Sequence, residues 1–298
     1  MPPAKCLPTY YDAGPFNLAP AFPKHFLLQA LEYKHQPGDI FVVTYPKNGT
    51  TWTQQLVYSI LNDGKSAPTS VLGTKFIDIR GLAAVSGDEK AGIKTHIMPD
   101  LLWKNAHPEA KYIVVVRNPK DTCVSHFHHT RGFPFYDFKE GKFDDFFELF
   151  MKGEVDYGDY FQWIVQAVKH RKDDNVLFMT YEGMKGDTMA ATHRIAQFLS
   201  SQEEDYDRRL VSDNEYQDRI AKHASISHMR SKINEDMKVH FSDVDPKTVP
   251  LEFVRKGQVN DYLNLMSQEQ SDRLSQKFKE VAQLHPDLMT IWSDYSWL

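Results

Sequence analysis

The sequence predicts an α/β fold, a parallel β-sheet flanked by helices, and three observations carry that expectation. Two short runs, Asp39 to Tyr45 and Tyr112 to Val116, are apolar at nearly every interior position, as strands buried on both faces must be. Each run ends in a break and leads into a segment with helical character. Strands and helices alternate along the chain and do not fall into separate blocks, which is the pattern of successive βαβ units.

The first unit is the most explicit. Ile40 to Val43 form the strand, Pro46, Lys47, Asn48 and Gly49 break it, and Trp52, Leu56 and Ile60 then recur every fourth position on one helical face. A shorter strand at Ile93 to His96 precedes a helix-like stretch from Pro99 to His107. After Val116 come Arg117, Asn118 and Pro119, an opening suited to a helix start. Val176 to Tyr181 reads as a fourth strand, followed by the periodic residues Met189, Ile195, Phe198 and Leu199. Phe143 to Met151 and Tyr160 to His170 read as amphipathic helices, and Glu203 to Met237 as helical and charge-rich. The aromatic loop Gly132 to Gly141, with Phe133, Phe135, Tyr136 and Phe138, either covers a ligand or packs on the core.

Composition narrows the class. The 298 residues, 41% hydrophobic and 25% charged, suit a single domain over 1–298 with an ample core. A net charge of −5 argues against a general nucleic-acid surface and leaves any phosphate site to be built locally. Cys6 and Cys123 cannot make a disulfide framework, which fits a reducing compartment and a cytoplasmic location. Met1 to Phe22 lacks the apolar run of a signal peptide, Pro2 excludes N-myristoylation, and no stretch is long enough to span a bilayer, so no membrane partner is expected.

Four motifs carry chemistry. Thr44 to Trp52 joins strand to helix through a loop holding Lys47, Gly49, Thr50 and Thr51, where unpaired helix-start amides and a cation can cradle an anion. It is not a Walker A loop, because its lysine precedes a single glycine; the bland reading is a helix capped by Thr50 with a surface lysine. Lys94, Thr95 and His96 end a strand, where parallel sheets place ligand contacts, although a histidine there can also be purely structural. Arg117 ends the next strand, with Asp121 and Ser125 on one face of the following helix. Arg117 can grip a phosphate with two parallel hydrogen bonds or serve only as a helix-start ion pair, and Lys120 with Asp121 reads as a surface pair. The fourth motif is Val254, Arg255, Lys256, Gly257. His126, His128 and His129 read as helix surface or pocket lining in preference to a metal site, and no metal is expected.

Together these motifs resemble the cytosolic sulfotransferases over about Gly38 to Asp261. The resemblance implies that Lys47, Asn48, Gly49, Thr50 and Thr51 bind the 5′-phosphosulfate of 3′-phosphoadenosine 5′-phosphosulfate (PAPS). It also implies that Trp52, Tyr181, Ser225 and Ile226 contact adenine, and that Arg117, Ser125, Arg255, Lys256 and Gly257 hold the 3′-phosphate. His96 would be the general base, with Lys47, Lys94 and Ser125 completing the catalytic set; Ser125 could hold Lys47 aside until an acceptor arrives. The acceptor would be a small hydroxyl or amine compound, with phenols and catecholamine-like molecules first on the aromatic loop and on Glu154, Asp156 or Asp159 as amine partners. The chain departs from the family where Asn260 replaces a glycine, Tyr262 replaces a tryptophan and Ala224 lacks a hydroxyl. Asn260 is the substitute best suited to a left-handed turn. The family's dimer motif is absent from Leu263 to Asp272, so a monomer or another interface is expected. The competing readings are a nucleotide binder with a decayed site and a P-loop phosphotransferase.

Overall fold

The computed structural model describes residues 6–68, 73, 75–240 and 252–292. Pro2 therefore lies outside the described residues. A two-residue hairpin, β1 (Tyr11–Asp12) and β2 (Asn17–Leu18), precedes α1 (Lys24–Glu32). The alternating part follows: β3 (Ile40–Thr44), α2 (Thr50–Leu61), the single-turn α3 (Ile77–Arg80), β4 (Ile93–Thr95), α4 (Pro99–Leu102), β5 (Lys111–Val116) and α5 (Pro119–Gly132). Next come α6 (Phe143–Lys152), α7 (Tyr160–Lys169), β6 (Val176–Thr180), α8 (Tyr181–Gly186) and α9 (Thr188–Leu199). Three helices, α10 (Tyr206–Ser212), α11 (Asn214–Ala224) and α12 (Ile226–His240), fill the charge-rich region, and α13 (Gln268–Leu284) comes last.

The larger sheet has the order β4-β3-β5-β6 and is parallel throughout, as the alternation predicts. Strands β3, β5 and β6 are apolar at nearly every position because successive side chains enter different cores. Phe41, Val43, Tyr112, Val114 and Val116 join one buried cluster, with the aromatic residues of α5, α6 and α7. Val42, Ile113 and Val115 join another, with Leu56, Val57 and Ile60 of α2 and Ile195 of α9. Each such side chain contributes about 1.5–3 kcal/mol on burial, so a one-residue register slip, which exchanges the two faces, is strongly disfavoured.

The strand order also sets where a ligand can sit. The chain leaves β3 for a neighbour on one side, β4, and returns to a neighbour on the other, β5. This opens a crevice beyond the carboxyl ends of β3 and β5, the position at which open α/β sheets bind ligands. Helix α1 has no counterpart in the sequence reading; it holds on by Leu27 and Ala30, which alone are buried on it.

Candidate functional site

A cavity of about 1160 Å³ occupies that crevice. Of the residues assigned to a site from sequence, all but Asn48 line it. Asn48 is fully buried behind the loop, where its Oδ1 accepts from Thr122 Oγ1 at 2.9 Å and ties the loop to α5.

The loop after β3 has the backbone an anion cradle needs. Lys47 and Gly49 both have positive φ, at 71° and 97°, which turns the loop sharply before α2. Gly49 is the N-cap of α2 and Thr50 its first helical residue, so Thr50 does not cap the helix; its Oγ1 lies 2.6 Å from Thr44 Oγ1. A side chain at Gly49 would be strained and would also place Cβ 2.9 Å from the Tyr181 ring. Trp52 is half-buried, donates from Nε1 to Ala224 O at 2.9 Å and meets Tyr181 edge-on. The Lys47 ammonium lies over the Phe253 ring. Burial, followed by the charges of Arg117 and Arg255, lowers it from 10.5 to about 7.

The end of β4 presents Lys94 and His96 on one side and Thr95 on the other, as strand alternation requires. Thr95 Oγ1 and the His96 amide both donate to the buried carboxylate of Asp78, at 2.6 and 2.8 Å. Burial raises Asp78 to about 6 despite those bonds. His96 Nδ1 lies 2.8 Å from the Thr44 carbonyl, which can only accept. The ring proton therefore sits on Nδ1, and Nε2 carries the lone pair. Edge-on contacts with Phe76 and Tyr157 hold the ring from two sides. Burial depresses His96 to about 3, and Lys94 to about 8, so the imidazole is neutral through the physiological range.

Arg117 straps three loops together. It donates to Lys47 O at 3.3 Å and Gln258 O at 2.9 Å, stacks 4.3 Å over Tyr181, and lies 3.6 Å from Asp121. Asn118 caps α5 by accepting from the Asp121 amide at 2.8 Å, with Pro119 in the first turn, as the sequence predicts. Lys120 and Asp121 are not a surface pair: they are 4% and 1% exposed. The Asp121 carboxylate accepts from the amides of Asn260 and Tyr262 at 2.8 and 2.9 Å, and Lys120 lies over the Tyr262 ring. Asn260 takes the left-handed conformation, φ 63°, expected of it. The next residue, Asp261, pairs with both Arg255 and Lys256; burial opposes its charge, but those bonds hold it down at about 2. Gly257 packs against Ile226, and Ser225 caps α12 through its Oγ.

Because Asp121 holds a turn 139 residues away, Asp121→Ala is expected to leave two amides and Arg117 uncompensated. The predicted cost is about 3 kcal/mol in urea unfolding, together with weaker anion binding at the cavity.

The opposite part of the cavity is aromatic. Phe133 and Phe135 line it, with Phe22, Phe26 and Phe76, whereas Tyr136 and Phe138 are in the core. The aromatic loop thus contributes both to the cavity wall and to the core. Among the three acidic residues considered for an amine, Asp156 lines the cavity. Glu154 is exposed away from it, and Asp159 caps α7 and pairs with Lys277. Asp156 is clamped by His126 Nε2 at 2.5 Å and Tyr136 Oη at 2.6 Å; burial works most strongly against its ionisation, but the interactions with His126, Tyr136 and His96 together outweigh it and the carboxylate titrates low. His129 lines the cavity beside Lys47, and among the described residues no group of three or more metal-ligating side chains is gathered.

Asp78, Phe76 and Phe253 shape the site without belonging to any motif singled out for it. Only Phe253 had an available signal, its place directly before Val254 and Arg255. Asp78 and Phe76 act on His96 from 18 and 20 positions away along the chain.

The sulfotransferase-domain family model matches residues 37–286. The luciferin sulfotransferase of Photinus pyralis is 31% identical over 270 residues, covering 80% of this chain and 70% of that protein. The amine sulfotransferase of Oryctolagus cuniculus is 30% identical over 269 residues, covering 88% and 86%. The crystal structure of a mouse sulfotransferase complexed with PAP superimposes with a TM-score of 0.73 at 25% identity, over 97% of this chain and 100% of that one. With most of its length inside that family model, and with the strand-loop-helix, Lys94 to His96 and Arg255 to Gly257 converging on one cavity, this chain belongs to the sulfotransferase family.

Proposed function

We propose that this chain transfers a sulfuryl group from PAPS to a hydroxyl or amine of a small phenol or catecholamine-like acceptor, with His96 as general base. The observation that carries the reading is a neutral imidazole, committed at Nδ1 to Thr44, in one cavity with Lys47, Lys94, Arg117 and Arg255.

The residues present fit such a donor. Arg117 Nε is a buried donor without a partner among the described residues, the amides at the start of α2 lack intrahelical acceptors, and several of the surrounding side chains are cationic. Lys47 to Thr51 would take the 5′ end, Trp52, Tyr181, Ser225 and Ile226 the adenine, and Arg117, Ser125, Arg255, Lys256 and Gly257 the 3′-phosphate. When bound, the donor supplies a sulfuryl group on a phosphate leaving group. His96 Nε2 accepts the acceptor's proton, Lys47 and the loop amides stabilise charge growing on the leaving oxygen, and Lys94 neutralises the transferring group. Catalysis is then mainly positioning and electrostatics. The aromatic wall supports a flat acceptor, and Asp156 supplies the anionic group an amine would seek.

We take 1–298 as one domain working in the cytoplasm, as a monomer or through an interface other than the family's usual one. Ser267 and Gln268, where that motif's centre would lie, instead cap and begin α13. Among the described residues no helix is long and apolar enough to cross a membrane.

The test is transfer of labelled sulfate from PAPS to a panel of phenols, catecholamines and steroids without added metal, beside calorimetric titration with 3′-phosphoadenosine 5′-phosphate (PAP). Transfer to any phenol or catecholamine is the expected result; PAP binding without transfer would favour a decayed binder, and no binding would overturn the reading. Binding should also depend on pH. Lys47 and Lys94 are charged only below about 7 and 8, so PAP affinity is expected to be higher at pH 6 than at pH 9, with proton uptake on binding between. A flat profile would remove these two lysines from the anion site.

A further inference from the structure

The Lys47 ammonium is held from two sides. It lies 4.3 Å from the centroid of Phe253 and 3.5 Å from Nδ1 of His129, a long hydrogen bond. His129 stands one turn after Ser125 on the same face of α5, and both line the cavity. Among the described residues no hydrogen bond joins Ser125 to Lys47, so the contact expected of the serine is made by the histidine. An ammonium has donors only, so Nδ1 presents its lone pair and the ring proton sits on Nε2. Nε2 has no hydrogen-bond partner among the described residues. Burial, followed by the charges of Lys47 and neighbouring His126 and His96, keeps His129 well below its ordinary range and therefore neutral, the form that can accept.

The groups facing Lys47 come from four elements. Arg117 after β5, Arg255 in the segment before α13 and Lys94 on β4 oppose its charge, and Asp156 before α7 favours it. A lysine so placed tends to lose its proton or swing away unless something retains it.

We propose that His129 is a positioning residue for the donor site: its Nδ1 lone pair, with the face of Phe253, keeps the Lys47 ammonium protonated and at the cavity wall until an anion takes over the contact. The proposal rests on the reading of Lys47 as the donor-site lysine.

The test follows Lys47 directly. Competitive acetylation with acetic anhydride across pH 6 to 10, read by peptide mass spectrometry, gives the lysine's titration midpoint in the native protein and in His129→Phe and His129→Asn. Phenylalanine keeps a ring and removes the lone pair; asparagine places Oδ1 about where Nδ1 stood. The midpoint is expected to fall by about half to one pH unit in His129→Phe and to return towards native in His129→Asn. PAP affinity at pH 8 should weaken about three- to tenfold in the first and recover in the second. If His129→Phe does not fold, Phe253→Leu removes the other half of the cage and is expected to lower the midpoint likewise. A midpoint unmoved in the folded variants would overturn the proposal, whatever happens to turnover. Native protein that shows no PAP binding, yet a shifted Lys47 midpoint in the variants, would overturn the donor-site reading and leave the tether standing.

Discussion

Replacing His96 by alanine is expected to reduce sulfuryl transfer by about 10²–10⁴-fold, the usual contribution of a positioned general base, while PAP affinity stays within about twofold. The separation follows from geometry. His96 reaches the crevice from β4, and its fixed bonds, through Nδ1 to Thr44 O and through its amide to Asp78, leave Nε2 as the atom available to an acceptor. The pH profile gives an independent check. Free imidazole titrates near 6.5, and its neutral form is lost as pH falls; burial has moved this ring to about 3. Native kcat/KM is therefore expected to show no acid limb near 6.5, and turnover should persist to pH 5. Equal turnover in His96→Ala, measured with labelled donor, would sink the assignment.

The second large effect is at Arg117, where alanine is expected to weaken PAP binding by about 10²-fold, from the loss of a charged fork worth roughly 1.5–3 kcal/mol per hydrogen bond. Two losses combine. The buried Nε, which has no partner among the described residues, disappears as a donor, and so do the bonds that draw the Lys47 and Gln258 carbonyls together. Arg117→Lys separates them, because a lysine keeps the charge but cannot make the planar fork or stack as well on Tyr181. Calorimetry should therefore rank native above lysine above alanine. Lysine binding as tightly as native would show that Arg117 contributes charge alone.

Much of this fold is legible along the chain because buried parallel strands carry their signal locally. Ile40 to Val43 and Tyr112 to Val116 are apolar on both faces since both faces meet a core, and no partner need be known to see that. The loop between β3 and α2 is legible for the same reason: Lys47, Gly49 and the threonines are neighbours in sequence and act as neighbours in space. Helix α1 was not legible, since only Leu27 and Ala30 are buried on it and the stripe is too narrow to stand out. Lys120 and Asp121 misled because an adjacent opposite-charge pair at a helix start is ordinarily solvated, and here a turn beginning at Asn260 covers them.

The sequence alone determined which chemical groups stand at the strand ends: a lysine on β4 with an imidazole just after it, an arginine after β5, and a loop of lysine, glycine and threonines after β3. It could do so because strand order along the chain and the rule for parallel sheets bring those ends to one crevice. The tertiary structure decided how those groups behave. Only packing commits His96 Nδ1 to Thr44, lowers Lys47 towards neutrality and sets His129 against it, buries Asp121 under Asn260, and selects Asp156 from three acidic residues to face the cavity. The physical reason is that proton affinity and hydrogen-bond choice depend on desolvation and on charges a few ångströms away through space, and those neighbours are tens of residues distant along the chain.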